Sequence, residues 1–412
     1  MPAHLGIYLS NSADKKYIIE QILNNELLRD FHDFSGSKGH LFSTITLEKL
    51  IDEEFRHDSF IIQSNENKSL SSMSSGQQRF SLLKWQIAQN PDYLILDDVY
   101  SNIDHQTQLE IRNRLCNLSE NVLMIQIFFR KMDILPFINQ VLFFDEAIQS
   151  FRSESTDRFL KSESDKNSKQ IFLPEGYSKD HPAVNPLIEL RNIHVQYDDK
   201  HVLENVNWQI CQGEFWQLCG PNGSGKSTLI SMICGDNPKA YGQDLTLFGF
   251  RKGSGESIWD IKKHIGYFTP NMINRFRGTD TIENMIISGL NDSVGLYIKP
   301  TDIQRDIARH WIEILGPAFQ KSRFNQLSTG QQRMVMVARA MIKHPPLLIL
   351  DEPTIELDDV NSNLFIQMIK AIASEKQMAI IYVSHREEEN LKPERVYELV
   401  KTEKAYTGHI SL

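Results

Sequence analysis

The stretch Gly220-Pro221-Asn222-Gly223-Ser224-Gly225-Lys226-Ser227-Thr228 follows one apolar run, FWQLC, and leads into another, TLISMI. Glycines at this spacing let backbone N–H groups turn inward around phosphate oxygens. A helix opening at the loop would add its positive end. Lys226 can then reach the β- and γ-phosphates of a nucleotide, and the Ser227 hydroxyl can ligate Mg²⁺. Asp351-Glu352 closes a third apolar run, LLIL. Two carboxylates ending a buried strand are costly unless a cation or a reacting group occupies the site. Asp351 would hold Mg²⁺ through water, and Glu352 would orient or deprotonate an attacking water. His385, after MAIIYVS, is placed to touch the γ-phosphate, and Tyr197 could stack on adenine.

The elements that must hold these groups come in two copies. Ser74-Ser75-Gly76-Gln77-Gln78-Arg79 recurs as Ser328-Thr329-Gly330-Gln331-Gln332-Arg333, and Leu94–Asp97 as Leu348–Asp351. Asn90-Pro91 is echoed by His344-Pro345 and Asp104 by Asp358, each pair offset by 254 positions. One register held across separate features is a tandem duplication. In the second copy IELRNIHVQY and VNWQICQGEFWQLCG are expected as strands, and Gln331–Lys343 as a helix stopped by His344-Pro345. LLILD and MAIIYVS have the length and continuous apolarity of strands buried on both faces of a parallel sheet. Strands alternating with helices predict an α/β, doubly wound fold. Between the copies, residues 150–185 are rich in Ser, Lys, Asp and Pro and are expected to form an exposed linker.

Leu327-Ser328-Thr329-Gly330-Gln331 is the most discriminating motif. With it the chain resembles the ATP-binding cassette (ABC) ATPases that fuse two nucleotide-binding domains. LSTGQ is similar to the family signature, LLILDEP to its Walker B strand, Glu356-Leu357-Asp358 to its D-loop, and His385 to its switch histidine. The segments DLTLFG, GSGE and IWDIKKHIGY resemble in particular the ModF-type double cassettes, a subgroup associated by name with molybdate transport and photorepair. The resemblance implies two tandem P-loop NTPase domains, the first truncated and degenerate, at residues 1–149 and 186–412. It also implies ATP and Mg²⁺ as ligands, and ATP sandwiched between the phosphate loop of one cassette and the signature of the other. The competent sandwich would pair Gly220–Thr228, Asp351, Glu352 and His385 with Ser75, Gly76 and Gln77. One departure from the family stands out: Pro270 occupies the position after the IGY strand where the family carries a glutamine that meets the metal.

The first copy has lost these features. Leu9–Lys16 aligns with the phosphate loop, and Lys15 keeps the lysine position, but the glycines are gone and Lys16 replaces the magnesium-binding hydroxyl. Asp14 is expected to point negative charge at the pocket. Asp97-Asp98 shortens the catalytic glutamate by one methylene, and Phe129-Arg130 lies near the histidine position. This copy should not hydrolyse ATP, and Lys15→Ala should leave activity almost unchanged. Lys226 lies 104 positions before Gly330, whereas Lys15 lies only 61 before Gly76. The shortfall is expected in the helical subdomain that precedes the signature.

The chain has 412 residues, 41% hydrophobic and 24% charged, with a formal charge of −9. The length suits two or three domains, and the acidic balance argues against a non-specific grip on nucleic acid or anionic lipid. No apolar run approaches the ~18–20 residues of a spanning helix, and the first residues, without a basic stretch leading into an apolar one, are not expected to direct secretion. Cys116, Cys211, Cys219 and Cys234 form no CxxC pair and are expected as buried reduced thiols. The expected protein is a cytoplasmic, monomeric ATPase with its two cassettes paired within one chain, peripheral to the inner face of the membrane if it serves a permease. Three functions follow from the resemblance: the ATPase subunit of an importer for molybdate or a related oxyanion, a soluble ATP-driven switch, or an ATP-binding scaffold with little turnover.

Overall fold

The computed structural model describes residues 4–411 except 12, 25–27, 29–30, 32–33, 35, 58–60, 63–68, 101–102, 146–149, 163–170, 176–183, 277–279, 385–387 and 389. The chain divides into two compact units, Met1–Asn167 with Glu356–Asp359, and Ser168–Ile355 with Val360–Leu412.

The first unit runs β1 (Leu5–Tyr8), α1 (Lys15–Leu23), β2 (Gly39–Phe42), α2 (Thr44–His57), α3 (Ser75–Ala88), β3 (Tyr93–Asp97), α4 (His105–Leu118), β4 (Leu123–Phe128), β5 (Gln140–Asp145), β6 (Ser150–Ser155) and α5 (Thr156–Lys161). Its sheet has the order β2-β3-β4-β1-β5-β6, parallel except for β6. Strand β3, YLILD, is buried throughout, because alternate residues serve opposite faces. Tyr93 and Ile95 pack with Ile18, Ile22 and Ile125 on one side. Leu94 and Leu96 pack with Leu82, Ile111 and Leu115 on the other. A strand covered on both sides needs apolar residues at every position, which is why the run does not alternate.

The second unit contributes β7 (Ile188–Tyr197), β8 (Lys200–Ile210), β9 (Phe215–Cys219), α6 (Lys226–Ile233), β10 (Asp244–Leu247), β11 (Phe250–Arg251), α7 (Ile258–Lys262), β12 (Ile265–Phe268), α8 (Ile282–Ile287), α9 (Asp302–Leu315), α10 (Thr329–Met341), β13 (Leu347–Asp351), α11 (Asp359–Ser374), β14 (Ala379–Val383), β15 (Arg395–Lys401) and β16 (Tyr406–Ser411). The run VNWQICQGEFWQLCG is therefore two strands broken by a turn at Cys211–Glu214, where Glu214 N–H donates to Cys211 O at 3.3 Å. The sheet order is β11-β10-β7-β8-β16-β15-β9-β14-β13-β12. Trp208 on β8 stacks on Tyr397 of β15 at 4.3 Å and meets Trp216 of β9 edge-on at 5.6 Å. This aromatic wedge joins the antiparallel part of the sheet to the parallel part, an arrangement worth about 0.5–1.5 kcal/mol per pair beyond the area buried.

Comparing the two sheets corrects two expectations. The order β2-β3-β4-β1-β5-β6 repeats β12-β13-β14-β9-β15-β16 strand for strand, so Ser150–Ser155 is the counterpart of β16. The stretch expected as an exposed linker from residue 150 thus begins with an edge strand and a short helix, and Phe151 and Phe159 are buried. The shortfall between the copies also has two parts. From loop lysine to second-strand end spans 27 positions in the first unit (15 to 42) and 42 in the second (226 to 268). This gap is where β10, β11 and α7 sit. The helical region accounts for the rest, 34 positions (42 to 76) against 62 (268 to 330). The first unit has no counterpart of β7 and β8 among its described residues.

The cysteines are reduced, but only Cys234 is buried; Cys116, Cys211 and Cys219 are half-buried. Burial pushes the Cys234 thiol up to about 12. No helix among the described residues is long and apolar enough to cross a membrane.

Candidate nucleotide site

The loop from Gly220 to Gly225 joins β9 to α6. Gly225 caps α6 at φ +98°, and a Cβ there would lie 2.7 Å from Leu203 Cδ2. Gly223, at φ +77°, faces open space. No side chain caps α6, and an uncapped helix N-terminus suits an anion, as at phosphate sites. Lys226 Nζ folds back over the loop and donates to Gly220 O at 2.6 Å and Pro221 O at 2.9 Å. Those bonds hold the ammonium above the loop. Pro221, Asn222 and Ser227 are exposed, Thr228 is half-buried, and Ser224 is fully buried.

Asp351 ends β13 and is half-buried. Burial raises its pKa, while a hydrogen bond from the Thr269 side chain and the Lys226 charge pull the other way. Thr269 stands beside Asp351 because β12 and β13 run parallel with Phe268 opposite Leu350. Pro270 then opens a short 3₁₀ turn, Pro270–Arg275, so the position has no side-chain donor or acceptor. Threonine at 269 is a site residue that sequence reasoning missed; the parallel register was its only signal. The next residue after Asp351, Glu352, has left-handed backbone (φ +47°), and its N–H donates to Val383 O at 2.9 Å. Asp98 repeats that conformation at φ +52°. Tyr197 ends β7 with 38% of its surface exposed. Its hydroxyl accepts from Asn237 Nδ2 at 2.9 Å, and Lys239 Nζ lies 5.6 Å from the ring centre. His385 lies outside the described residues.

The two signatures fold alike. Ser74 caps α3, accepting from Gln77 N–H at 3.3 Å while Ser74 N–H donates to Gln77 Oε1 at 3.0 Å. Ser328 and Gln331 repeat this at the head of α10 with 3.3 and 3.2 Å. Gln78 Nε2 donates to Leu70 O at 2.8 Å and Gln332 Nε2 to Phe324 O at 2.9 Å. The Gln77 side chain is therefore tied to its own helix cap. Ser75 opens the helix half-buried, and Gly76 is required there because a Cβ would lie 2.9 Å from Thr107 Cγ2. Ser74, absent from the sequence-based site, was signalled by the S-x-x-Q capping pattern. The helix expected over Gln331–Lys343 is α10, Thr329–Met341.

The loops, by contrast, differ. In the first unit Lys15 Nζ pairs with Asp97 Oδ1 at 3.1 Å, the aspartate being 3% exposed. Asp14 caps α1, accepting from Tyr17 N–H at 3.0 Å, so its charge sits at the helix head where the aligned loop would take a phosphate. An Asp directly before a helical run is an N-cap for the reason any short acceptor is, the unpaired N–H groups of the first turn.

Ser227 and Asp351 are hard oxygen donors of the kind Mg²⁺ takes from protein, and few are needed because it keeps several waters. An open glycine loop heading a helix, with an Asp-Glu pair at the end of the strand one removed from the loop's own, defines a P-loop nucleotide-binding protein of the cassette type. Residues 203–355 match the ABC transporter family. The chain is 37% identical over 329 residues to the ABC transporter ATP-binding protein ModF of Escherichia coli, covering 77% of this chain and 67% of that protein. It is 33% identical over 208 residues to the zinc uptake system ATP-binding protein ZurA of Listeria innocua, covering 49% and 77%. The structure of ribosome-bound archaeal Pelota and ABCE1 superposes on 99% of this chain and 74% of its own at TM-score 0.65 and 14% identity, a likeness of fold alone. The chain belongs to the ABC ATPase family.

Proposed function

We propose that the protein binds and hydrolyses ATP at one competent site in the second unit, completed by the signature of the first. The carrying observation is an asymmetry: both signature helices keep one capping geometry, whereas only one phosphate loop keeps its glycines and uncapped helix. In this reading the loop amides and Lys226 hold the β- and γ-phosphates, and Tyr197 stacks on adenine. Ser227 and Asp351 hold Mg²⁺, which when bound neutralises charge between the phosphates. Glu352 orients the attacking water, and Ser75 and Gly76 close over the γ-phosphate, with His385 in the family role. Charge stabilisation and positioning do most of the work.

Charge-assisted hydrogen bonds contribute about 1.5–3 kcal/mol, so Lys226→Ala is expected to weaken ATP binding tenfold to a hundredfold, measured by equilibrium dialysis. Unchanged affinity would place the nucleotide elsewhere. Thr269→Val removes the hydroxyl beside Asp351 at nearly constant volume. Outer-shell partners of metal ligands are worth roughly 10–100-fold in affinity, and a loss of that size is expected in Mn²⁺ uptake with a non-hydrolysable ATP analogue, followed by electron paramagnetic resonance. Equal Mn²⁺ affinity in Thr269→Val and the parent would leave Asp351 positioned by the strand alone.

A second reading, coupling to a partner such as a membrane permease, is favoured by a specific feature. In the segment before and into α9, Val294, Tyr297, Ile298 and Ile303 are 50%, 83%, 73% and 65% exposed. Apolar side chains clustered this way suit a protein contact. Capture of a permease from membranes by a Glu352→Gln variant, lost when Tyr297 and Ile298 become serine, tests it; oxyanion import is its narrower form.

A further inference from the structure

We infer that the phosphate-loop remnant of the first unit is self-liganded: groups of the protein itself take the places of both the anion and the cation, and no nucleotide enters. This goes beyond the proposed single-site ATPase, and rests on it only in calling the aligned second loop competent.

Among the described loop residues, several backbone donors are already used. Asn11 N–H donates to Asp358 Oδ2 at 2.7 Å, and Asp358 belongs to the same compact unit. Ala13 N–H donates to Ser10 O at 3.1 Å, as the aligned Ser224 N–H does to Pro221 O at 3.2 Å, and Lys15 N–H donates to Ala13 O at 3.0 Å. Asp14 takes the Tyr17 N–H at the head of α1. Two carboxylates of the protein thus accept N–H groups of this loop and of the helix it heads, whereas the aligned helix α6 has no side-chain cap. The cationic half is equally satisfied. The Lys15 ammonium sits 3.1 Å from Asp97, the position a metal would need, with the Phe129 ring 5.6 Å away. Burial alone would lower the lysine, but the Asp97 and Asp98 carboxylates outweigh it and hold its pKa above the usual lysine value. In the second unit Lys226 donates to loop carbonyls, and Asp351 meets the Thr269 hydroxyl with the Lys226 charge also acting on it. Because the Asp97 side chain is 3% exposed, removing Lys15 takes away the larger of the two cations that offset its charge, the other being Arg79, and removing Lys15 and Asp97 together leaves no such charge.

The test has two arms on the full chain. Equilibrium dialysis with Mg²⁺ and a non-hydrolysable ATP analogue should give one nucleotide per chain, held tenfold to a hundredfold more weakly after Lys226→Ala. A second nucleotide, lost on Lys15→Met, would overturn the inference. Zero nucleotides would sink the ATPase proposal instead, and the second arm would still decide this one. In that arm Lys15→Met, Asp97→Asn and the double variant are unfolded in urea. Each single change should lower the midpoint, and the double variant should recover at least half of the larger loss. Additive losses would show that Lys15 and Asp97 do not act as a pair. If a single variant fails to fold, Lys15→Arg, which keeps the charge, should retain the parent midpoint, and a loss as large as that of Lys15→Met would equally overturn the pairing.

Discussion

Glu352→Gln is expected to lower steady-state ATP turnover about 10²–10⁴-fold, the range for loss of a positioned general base, with ATP affinity little changed. The substitution keeps the shape and one acceptor oxygen, so the loop should hold. Glu352 is fixed in left-handed backbone at φ +47° by the bond from its N–H to Val383 O. A non-glycine residue held there costs roughly 1–3 kcal/mol and persists where surrounding structure enforces it. The conformation turns the chain at the end of β13. Asp98 shares the conformation at φ +52°, yet Asp98→Asn should leave turnover at the parent level. Phosphate release at saturating ATP measures both variants. Turnover by Glu352→Gln close to the parent would move the chemistry elsewhere, and a large loss in Asp98→Asn would show that the first unit hydrolyses.

Much of this architecture is legible in the residues because the same physics was written twice. The continuous apolar runs YLILD and LLILD mark the buried strands, and the glycine spacing of residues 220–225 marks the anion loop. The failures have local causes. Ser150–Ser155 is a polar edge strand with one buried ring, Phe151, so its composition looks like a tether. Only its pairing with β5 and its place opposite β16 in the repeat identify it. Asp14 carries an ordinary capping signal, overlooked because its alignment with a loop drew attention to its charge. The partner of Lys15 could not be found from spacing, since Asp97 is brought to it by the β1-β4-β3 order of the sheet. For Lys15→Ala the expectation of unchanged activity stands apart from stability, where the buried Asp97 makes the variant costly.

Ser75→Arg is the second large effect, and it tests whether the first unit works for the second. Ser75 is the first residue of α3, after the Ser74 cap, and is half-buried. A cation at a helix N-terminus costs about 0.3–1 kcal/mol, and the Ser74–Gln77 capping box does not use the Ser75 side chain. The unit should therefore fold. If the first signature closes over the γ-phosphate held by Lys226, a bulky side chain there separates the donors from the charge that develops. Losing one preorganised donor costs about 10²–10³-fold in rate, and a fall of at least that size is expected, with ATP binding retained. Thr329→Arg is the matched control. Thr329 opens α10 after the same capping box, and its signature would serve the loop around Asp14, where no nucleotide is expected. Turnover should survive it. Loss in Ser75→Arg alone ties catalysis to the first signature, equal loss in both means two working sites, and no loss in either means that the second unit hydrolyses ATP unaided.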